Sequence, residues 1–350
     1  MSGTDAPRIL VIRGGAIGDF VLTLPVLAAL RDRFSKAQLE ILGYPRIAAM
    51  AVDAGLVRAV HALESPGLAM FFTPNGAFDL EWRQFFARYA IVISYLFDPE
   101  GIFEENVKSC GVGQYIAAKY RPDETKAIHA SEVFLKPLEQ LTIFDGDPVA
   151  RLPIEPCEAT EPCLAMHPGS GSDSKNWREE KWRELLEYFL SKTTLQLLLI
   201  GGEAEGEKLH RLAKGLSGER LELAEHVPLN RLAKRLAKCC GFIGHDSGVT
   251  HIASALGLPT LVLWGPSREA IWRPLGERVR VLNRENQLAN ITIENVIEEL
   301  NTLGMESGYG RCSRTDSMRS PGPVSISTNS ARAPGSNPSG NFANCAGIVL

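Results

Sequence analysis

No stretch of this sequence approaches the roughly 18 uninterrupted apolar residues that a membrane-spanning helix needs, so no spanning helix is expected. Its seven cysteines, at 110, 157, 163, 239, 240, 312 and 345, include no C-x-x-C pair, and its seven histidines include no H-x-x-x-H. Zinc-type spacing is missing. No metal site is expected, and the odd, scattered thiols read as reduced packing residues. An excess of either charge is missing too. The 37 basic and 41 acidic residues leave a net charge of -4, which provides no whole-chain field for nucleic acid or an anionic membrane. The opening MSGTDAPR lacks a basic region followed by an apolar core, so no secretory signal is read there and a cytoplasmic protein is expected.

What is present is a 350-residue chain, 45% apolar, long enough for two ordinary domains with their own cores. Continuous apolar runs alternate with helix-period segments. RILVI precedes DFVLTLPVLAALRDRF, then come QLEIL, PRIAAMAVDAG, VRAVHAL and the run AIVISYLF at 90 to 97. That alternation predicts βαβ units and a parallel sheet. Helix-like pieces follow around 112 to 119 and 131 to 141, and the proline-rich stretch from 144 to 162 reads as a linker. The pattern then restarts with CLAMHPGSG, EEKWRELLEYFL, LQLLLIGG, EAEGEKLHRLAKGL, LNRLAKRLAKC, GFIGHDSG, VTHIASALG and PTLVLWGPS, ending in the helix TIENVIEELNTLG. The expected architecture is α/β: two Rossmann-like domains, 1-155 and 156-304, facing a central cleft. Residues 305-350, rich in Ser, Gly and Pro, are expected to form a disordered tail.

In such sheets ligands collect at the carboxyl ends of the strands, which selects four loops. The first, RGGAIGD, fills only part of a dinucleotide fingerprint, because Arg13 occupies the first glycine position. The acid expected some 20 residues on would be Glu40, which lies inside a strand rather than at its end. Asp19 is either a plain helix cap or a base held by backbone N–H groups. As a carboxylate it would repel a diphosphate in either case. The second loop, HPGSGSDSKNW at 167 to 177, offers small residues that let amides approach an anion, the hydroxyls of Ser170, Ser172 and Ser174, and the charge of Lys175. The third, GHDSGVTHIASALG at 244 to 257, runs Asp246, Ser247 and Gly248 straight into a helix whose N-terminus suits a diphosphate. Asp246 or Ser247 equally reads as a cap, and His251 as an ordinary helix histidine. In the fourth, LIGGEAEGE at 199 to 207, Glu203 is placed either to accept ribose hydroxyls or to favour a helix first turn.

Together the four are more specific. IRGGAIGDFVLTLPVLAALR, HPGSG with SKNW, LLIGG-x-x-E, and GHDSGVTHIASALG-x-P-x-x-x-LWGP resemble the ADP-heptose:lipopolysaccharide heptosyltransferases, glycosyltransferase family 9, over roughly residues 8 to 300. The resemblance implies a GT-B fold with acceptor on the first domain and nucleotide-sugar on the second. It implies an inverting, metal-independent transfer of a sugar, heptose in the best-known members, from an ADP-sugar to a lipopolysaccharide-core or related glycan acceptor, with no cofactor.

Asp19 matches the family's catalytic aspartate, and Glu203 the position near the nucleotide ribose. Lys175 and the amides of Ser247, Gly248 and Val249 would stabilise the departing diphosphate. The donor side is completed by Ser170, Gly171, Asp246 and His251, and the acceptor side by Arg13, Gly18 and Arg46. A lipid-borne acceptor would bring the protein to the inner face of the cytoplasmic membrane. Asp145-Gly146-Asp147 has the form of a metal-binding D-x-D, but Asp-Gly-Asp-Pro is ordinary turn chemistry. Two other classes are an NAD-dependent oxidoreductase using the first loop and a nucleotide-sugar-binding module without catalysis.

Overall fold

The computed structural model describes residues 6–155, 161–202, 205, 207–216 and 218–305. The expected tail lies outside them, apart from Met305. That residue is 3% exposed and packs on Gly241, so ordered packing runs one residue past Gly304. Glu203 also lies outside the described residues.

The first half runs β1 (Arg8–Arg13), α1 (Ile17–Val21), α2 (Leu24–Arg33), β2 (Gln38–Gly43), α3 (Pro45–Asp53), β3 (Ala59–Ala62), α4 (Leu80–Ala87), β4 (Ile91–Ser94), α5 (Ile102–Lys108), β5 (Gln114–Ala117) and α6 (Ala130–Leu135). The second runs β6 (Cys163–His167), α7 (Glu179–Lys192), β7 (Gln196–Gly201), α8 (Lys208–Ala213), β8 (Leu221–Glu225), α9 (Leu229–Leu236), β9 (Gly241–His245), α10 (Gly248–Ala255), β10 (Thr260–Trp264), α11 (Glu269–Trp272), β11 (Val279–Asn283) and α12 (Ile293–Thr302). The strands form two parallel sheets, ordered β3-β2-β1-β4-β5 and β11-β10-β9-β6-β7-β8. Central strands are buried on both faces, as β1 and β9 illustrate with five buried residues each. That burial is why they read as unbroken apolar runs.

Both sheets reverse direction at one place, between β1 and β4 and between β6 and β9. A crevice opens at such a switch point, beyond the carboxyl ends of the strands. One apolar cluster runs through both halves, with α3 packed on α9 and α1 on α10. Two further clusters cover the opposite faces of the two sheets.

Three expectations change. The helix anticipated over 19 to 34 is broken after Val21, because Pro25 has no N–H to give and its ring would strike the carbonyl of Val21. Pro25 instead opens α2 near its N-terminus, where a missing N–H costs nothing. The helix-like piece at 112 to 119 is the strand β5, paired in parallel with β4. Gly113 lets it start there, since a Cβ would sit 2.5 Å from the Ala90 carbonyl oxygen. The run 90 to 97 stays a strand only to Ser94; Tyr95 remains buried with its hydroxyl on the Phe134 carbonyl, and Leu96 and Phe97 turn out toward the crevice.

Candidate active site

A cleft of about 950 Å³ lies at the switch points and is lined from both halves. At the end of β1, Gly15 has φ +97°, a left-handed turn that glycine adopts without strain. The chain then enters α1, with Asp19 at its third position. Asp19 Oδ2 accepts the Ala16 N–H at 3.0 Å, and Oδ1 lies 3.6 Å from Arg13 Nη2. The aspartate is therefore both the cap of a short helix and a carboxylate at the cleft wall, with its side chain 27% exposed. Its carboxylate answers an N–H at the start of α1.

Arg13 borders the cleft, but its guanidinium is engaged by the protein itself. Its side chain is 3% exposed, Nη1 donates to the Tyr120 carbonyl at 2.8 Å, and Nη2 donates to the Asp19 carbonyl at 3.3 Å. The guanidinium lies 4.4 Å from the Phe134 ring centroid. Burial lowers its pKa, opposed by the nearby Asp19 charge. Arg13 thus supports Asp19 and the loop after β5. Arg46, at the exposed start of α3, stacks near Tyr44 and does not line the cleft.

Across the cleft, Lys175 Nζ donates to Asp246 Oδ2 at 2.7 Å, and Ser267 Oγ donates to the same oxygen at 2.6 Å. Asp246 thereby fixes the lysine beside the N-terminus of α10. Ser247 caps that helix, its Oγ accepting the Thr250 N–H, with His167 Nδ1 3.2 Å away. Gly248 is required by close approach: a Cβ there would fall 2.5 Å from Ile17 Cβ. His251, one turn on, borders Gly18 and the cleft. Desolvation brings its pKa down to about 4 against the raising effect of Asp246, so its imidazole is neutral at pH 7. Gly171 lines the cleft, whereas Ser170 and Val249 are buried behind it at 4% and 8% exposure.

Two important residues escaped the sequence reading. His245 Nε2 accepts the Trp177 N–H at 2.8 Å, so the proton resides on Nδ1, which faces the Gly169 carbonyl at 3.3 Å. One buried imidazole, its pKa pushed down to about 3 by desolvation, thus pins both ends of the Gly/Ser loop. Glu205 is the second. It is 9% exposed, Oε2 accepts the Gly202 N–H at 2.6 Å, and its carboxylate occupies the space where Gly169 has no Cβ. In the spacing G-G-x-x-E the two intervening residues are Glu203 and Ala204, so the acid that closes it is Glu205.

Glu40 is not available to a ribose. It is 3% exposed inside β2, accepts from Tyr89 Oη at 2.7 Å, and pairs with Arg88 at 3.0 Å and His61 at 2.6 Å. Burial would raise its pKa, but these partners outweigh it and hold the carboxyl below its ordinary value. Asp147 of the D-x-D accepts the Val149 N–H at 3.0 Å and pairs with Arg151, which is a turn.

Two Rossmann-like halves with an acid facing a lysine and a helix N-terminus define the GT-B class of fold. A structure from Veillonella parvula described as a glycosyl transferase of family 9 superposes with a TM-score of 0.71 at 19% identity, covering 87% of this chain and 98% of that one. An Escherichia coli heptosyltransferase with ADP gives 0.67 at 19% identity, covering 85% and 99%.

The profile of glycosyltransferase family 9 (heptosyltransferase) matches residues 136–300. Lipopolysaccharide heptosyltransferase 1 of Escherichia coli K12 is 30% identical over 150 residues, which span 42% of this chain and only 46% of that protein. Lipopolysaccharide heptosyltransferase 2 of Salmonella typhimurium is 21% identical over 350 residues, spanning 86% and 99%. Residues 136–300, just under half of the chain, thus match glycosyltransferase family 9 (heptosyltransferase), and the fold of the whole agrees with that likeness.

Proposed function

We propose that the protein is an inverting glycosyltransferase that moves a sugar, heptose by family likeness, from an ADP-sugar to a lipopolysaccharide-core or related glycan acceptor. The observation that carries this reading is the facing of two unlike ends across one cleft: Asp19 on α1 against Lys175 and the α10 N-terminus. Asp19 takes the proton of an acceptor hydroxyl as that oxygen attacks the anomeric carbon. The bond to the diphosphate breaks on the opposite face, and Lys175 with the amides of Gly248 and Val249 receives the developing charge. Neutral His251 beside Gly18 can accept or donate a hydrogen bond without adding charge.

In this reading Lys175 and the helix terminus supply the leaving-group stabilisation that a bound cation gives in metal-dependent transferases, and the two domains meet at residues 155/156. A lipid-carried acceptor would place the otherwise cytoplasmic protein against the inner membrane face. A thermal-shift screen of ADP-, GDP- and UDP-sugars with and without EDTA tests it. Stabilisation by the ADP compounds, equal in EDTA, is expected. A response confined to another nucleotide, or abolished by EDTA, would overturn the donor or the metal-independent assignment.

A further inference from the structure

Parallel pairing sets Ser94 of β4 beside Ala117 of β5. Three residues beyond each strand stand Phe97 and Tyr120, so the register itself brings the two aromatics side by side. Their ring centroids are 4.9 Å apart at an interplanar angle of 63°, and both line the cleft that contains Asp19. They are also left open: Phe97 is 64% exposed and Tyr120 46%. Scattered single apolar residues on a surface need no explanation, but a paired aromatic surface inside a cleft marks a binding face.

The pair is anchored. The buried guanidinium of Arg13 holds the Tyr120 carbonyl at 2.8 Å and stands 3.6 Å from the Asp19 carboxylate, so one side chain references both the aromatic loop and the candidate base. Arg121, paired with Glu124 at 3.0 Å and 5.5 Å from the Trp272 ring centroid, supplies a polar edge beside the rings.

On the glycosyltransferase reading, we propose that Phe97 and Tyr120, set edge to face, form an aromatic platform for a pyranose ring of the acceptor, the open face of one ring meeting the sugar's C–H face while the other ring braces it. The electron-rich face of an aromatic ring attracts the polarised C–H groups of a sugar, while the sugar's equatorial hydroxyls stay free for the polar edge. This makes the acceptor a saccharide recognised by ring stacking on the first half, in addition to whatever contacts its reacting hydroxyl makes with Asp19.

Saturation-transfer NMR on the ADP-loaded protein tests this, irradiating aromatic protons in the presence of methyl glycosides of glucose, galactose and glucuronic acid. Transfer to ring C–H protons of at least one glycoside is expected. It should fall about 10-fold in the Phe97→Ala/Tyr120→Ala protein, the loss of two modest aromatic contacts, and be restored in Tyr120→Phe. Both side chains are exposed and the Arg13 bond is to backbone, so the folded state should persist, with ADP affinity by calorimetry within about 2-fold of the parent. No transfer to any glycoside, or transfer unchanged in the double variant, would overturn the platform. Absence of ADP binding by the parent protein would instead remove the glycosyltransferase reading on which it rests.

Discussion

The two strand-to-helix junctions that meet in the cleft are built alike but expose opposite charges, Asp19 over a buried Arg13 in the first and Lys175 over a largely buried Asp246 in the second. β1 turns through Gly15 into α1, and β9 turns through Asp246 and Ser247 into α10. In the first junction a carboxylate caps the helix from its third position, so the amide-rich end is already answered by an anion. In the second the cap is a neutral serine, and the nearby carboxylate is held by Lys175 and Ser267. The same geometry therefore presents a carboxylate on one side and an ammonium beside a helix N-terminus on the other, the pair of groups that the proposed transfer uses. Local charge, more than backbone, decides which ligand each end can take.

The largest break in that comparison comes from making the first junction neutral. Asp19→Asn keeps the cap acceptor but removes the base, and turnover should fall by roughly 100- to 10,000-fold while calorimetric ADP affinity holds. Unaltered turnover would end the assignment of Asp19. Discharging the other side gives a different signature: Lys175→Ala should weaken ADP about 10-fold, and an unchanged dissociation constant would take the lysine out of the site.

Smaller effects probe the contact between the junctions. Gly248→Ala presses a methyl on Ile17 and should cost about 1–3 kcal/mol, read as a lower denaturation midpoint. A midpoint equal to the parent's would mean that the helices part freely. Ser247→Ala removes the cap of α10 at about 1 kcal/mol, measurable in the same series.

Acid provides a graded version. His167 and His251 have pKa values near 4 and His245 near 3, each lowered first by desolvation. The unfolded chain takes up these protons near pH 6.5, well before the folded one. Stability should therefore be complete above about pH 6.5 and decline progressively toward pH 4. His251→Gln should flatten that decline in urea titrations at stepped pH, and a slope equal to the parent's would argue against a buried neutral His251.

Much of this was readable in the residues. Central strands such as RILVI and QLLLIG are buried on both faces and so appear as continuous apolar runs. Edge strands are not: β8 and β11 each bury a single residue fully, and their mixed pattern gave no signal. The gathering of Asp19, Lys175, Asp246 and Ser247 on one cleft was legible because strand-end loops converge at the switch points. The internal bond of Arg13 was not legible, because a basic residue at a strand end reads the same whether it meets a ligand or a buried carbonyl, and only the tertiary fold supplies Tyr120. Phe97 was hidden in an apolar run that looked like strand to its last residue, although the register with Ala117 would have aligned it with Tyr120.

The closeness of Gly248 to Ile17 and Gly18 has a mechanical side. The floor of the cleft is a point of contact between the two halves, and its rim is bridged by side chains, Arg121 of the first half lying 5.5 Å from the Trp272 ring centroid of the second. A rocking motion that preserves the floor contact would widen the entrance far more than it separates Asp19 from Lys175. The Arg121–Trp272 contact is then the first to part, and the floor contact the last.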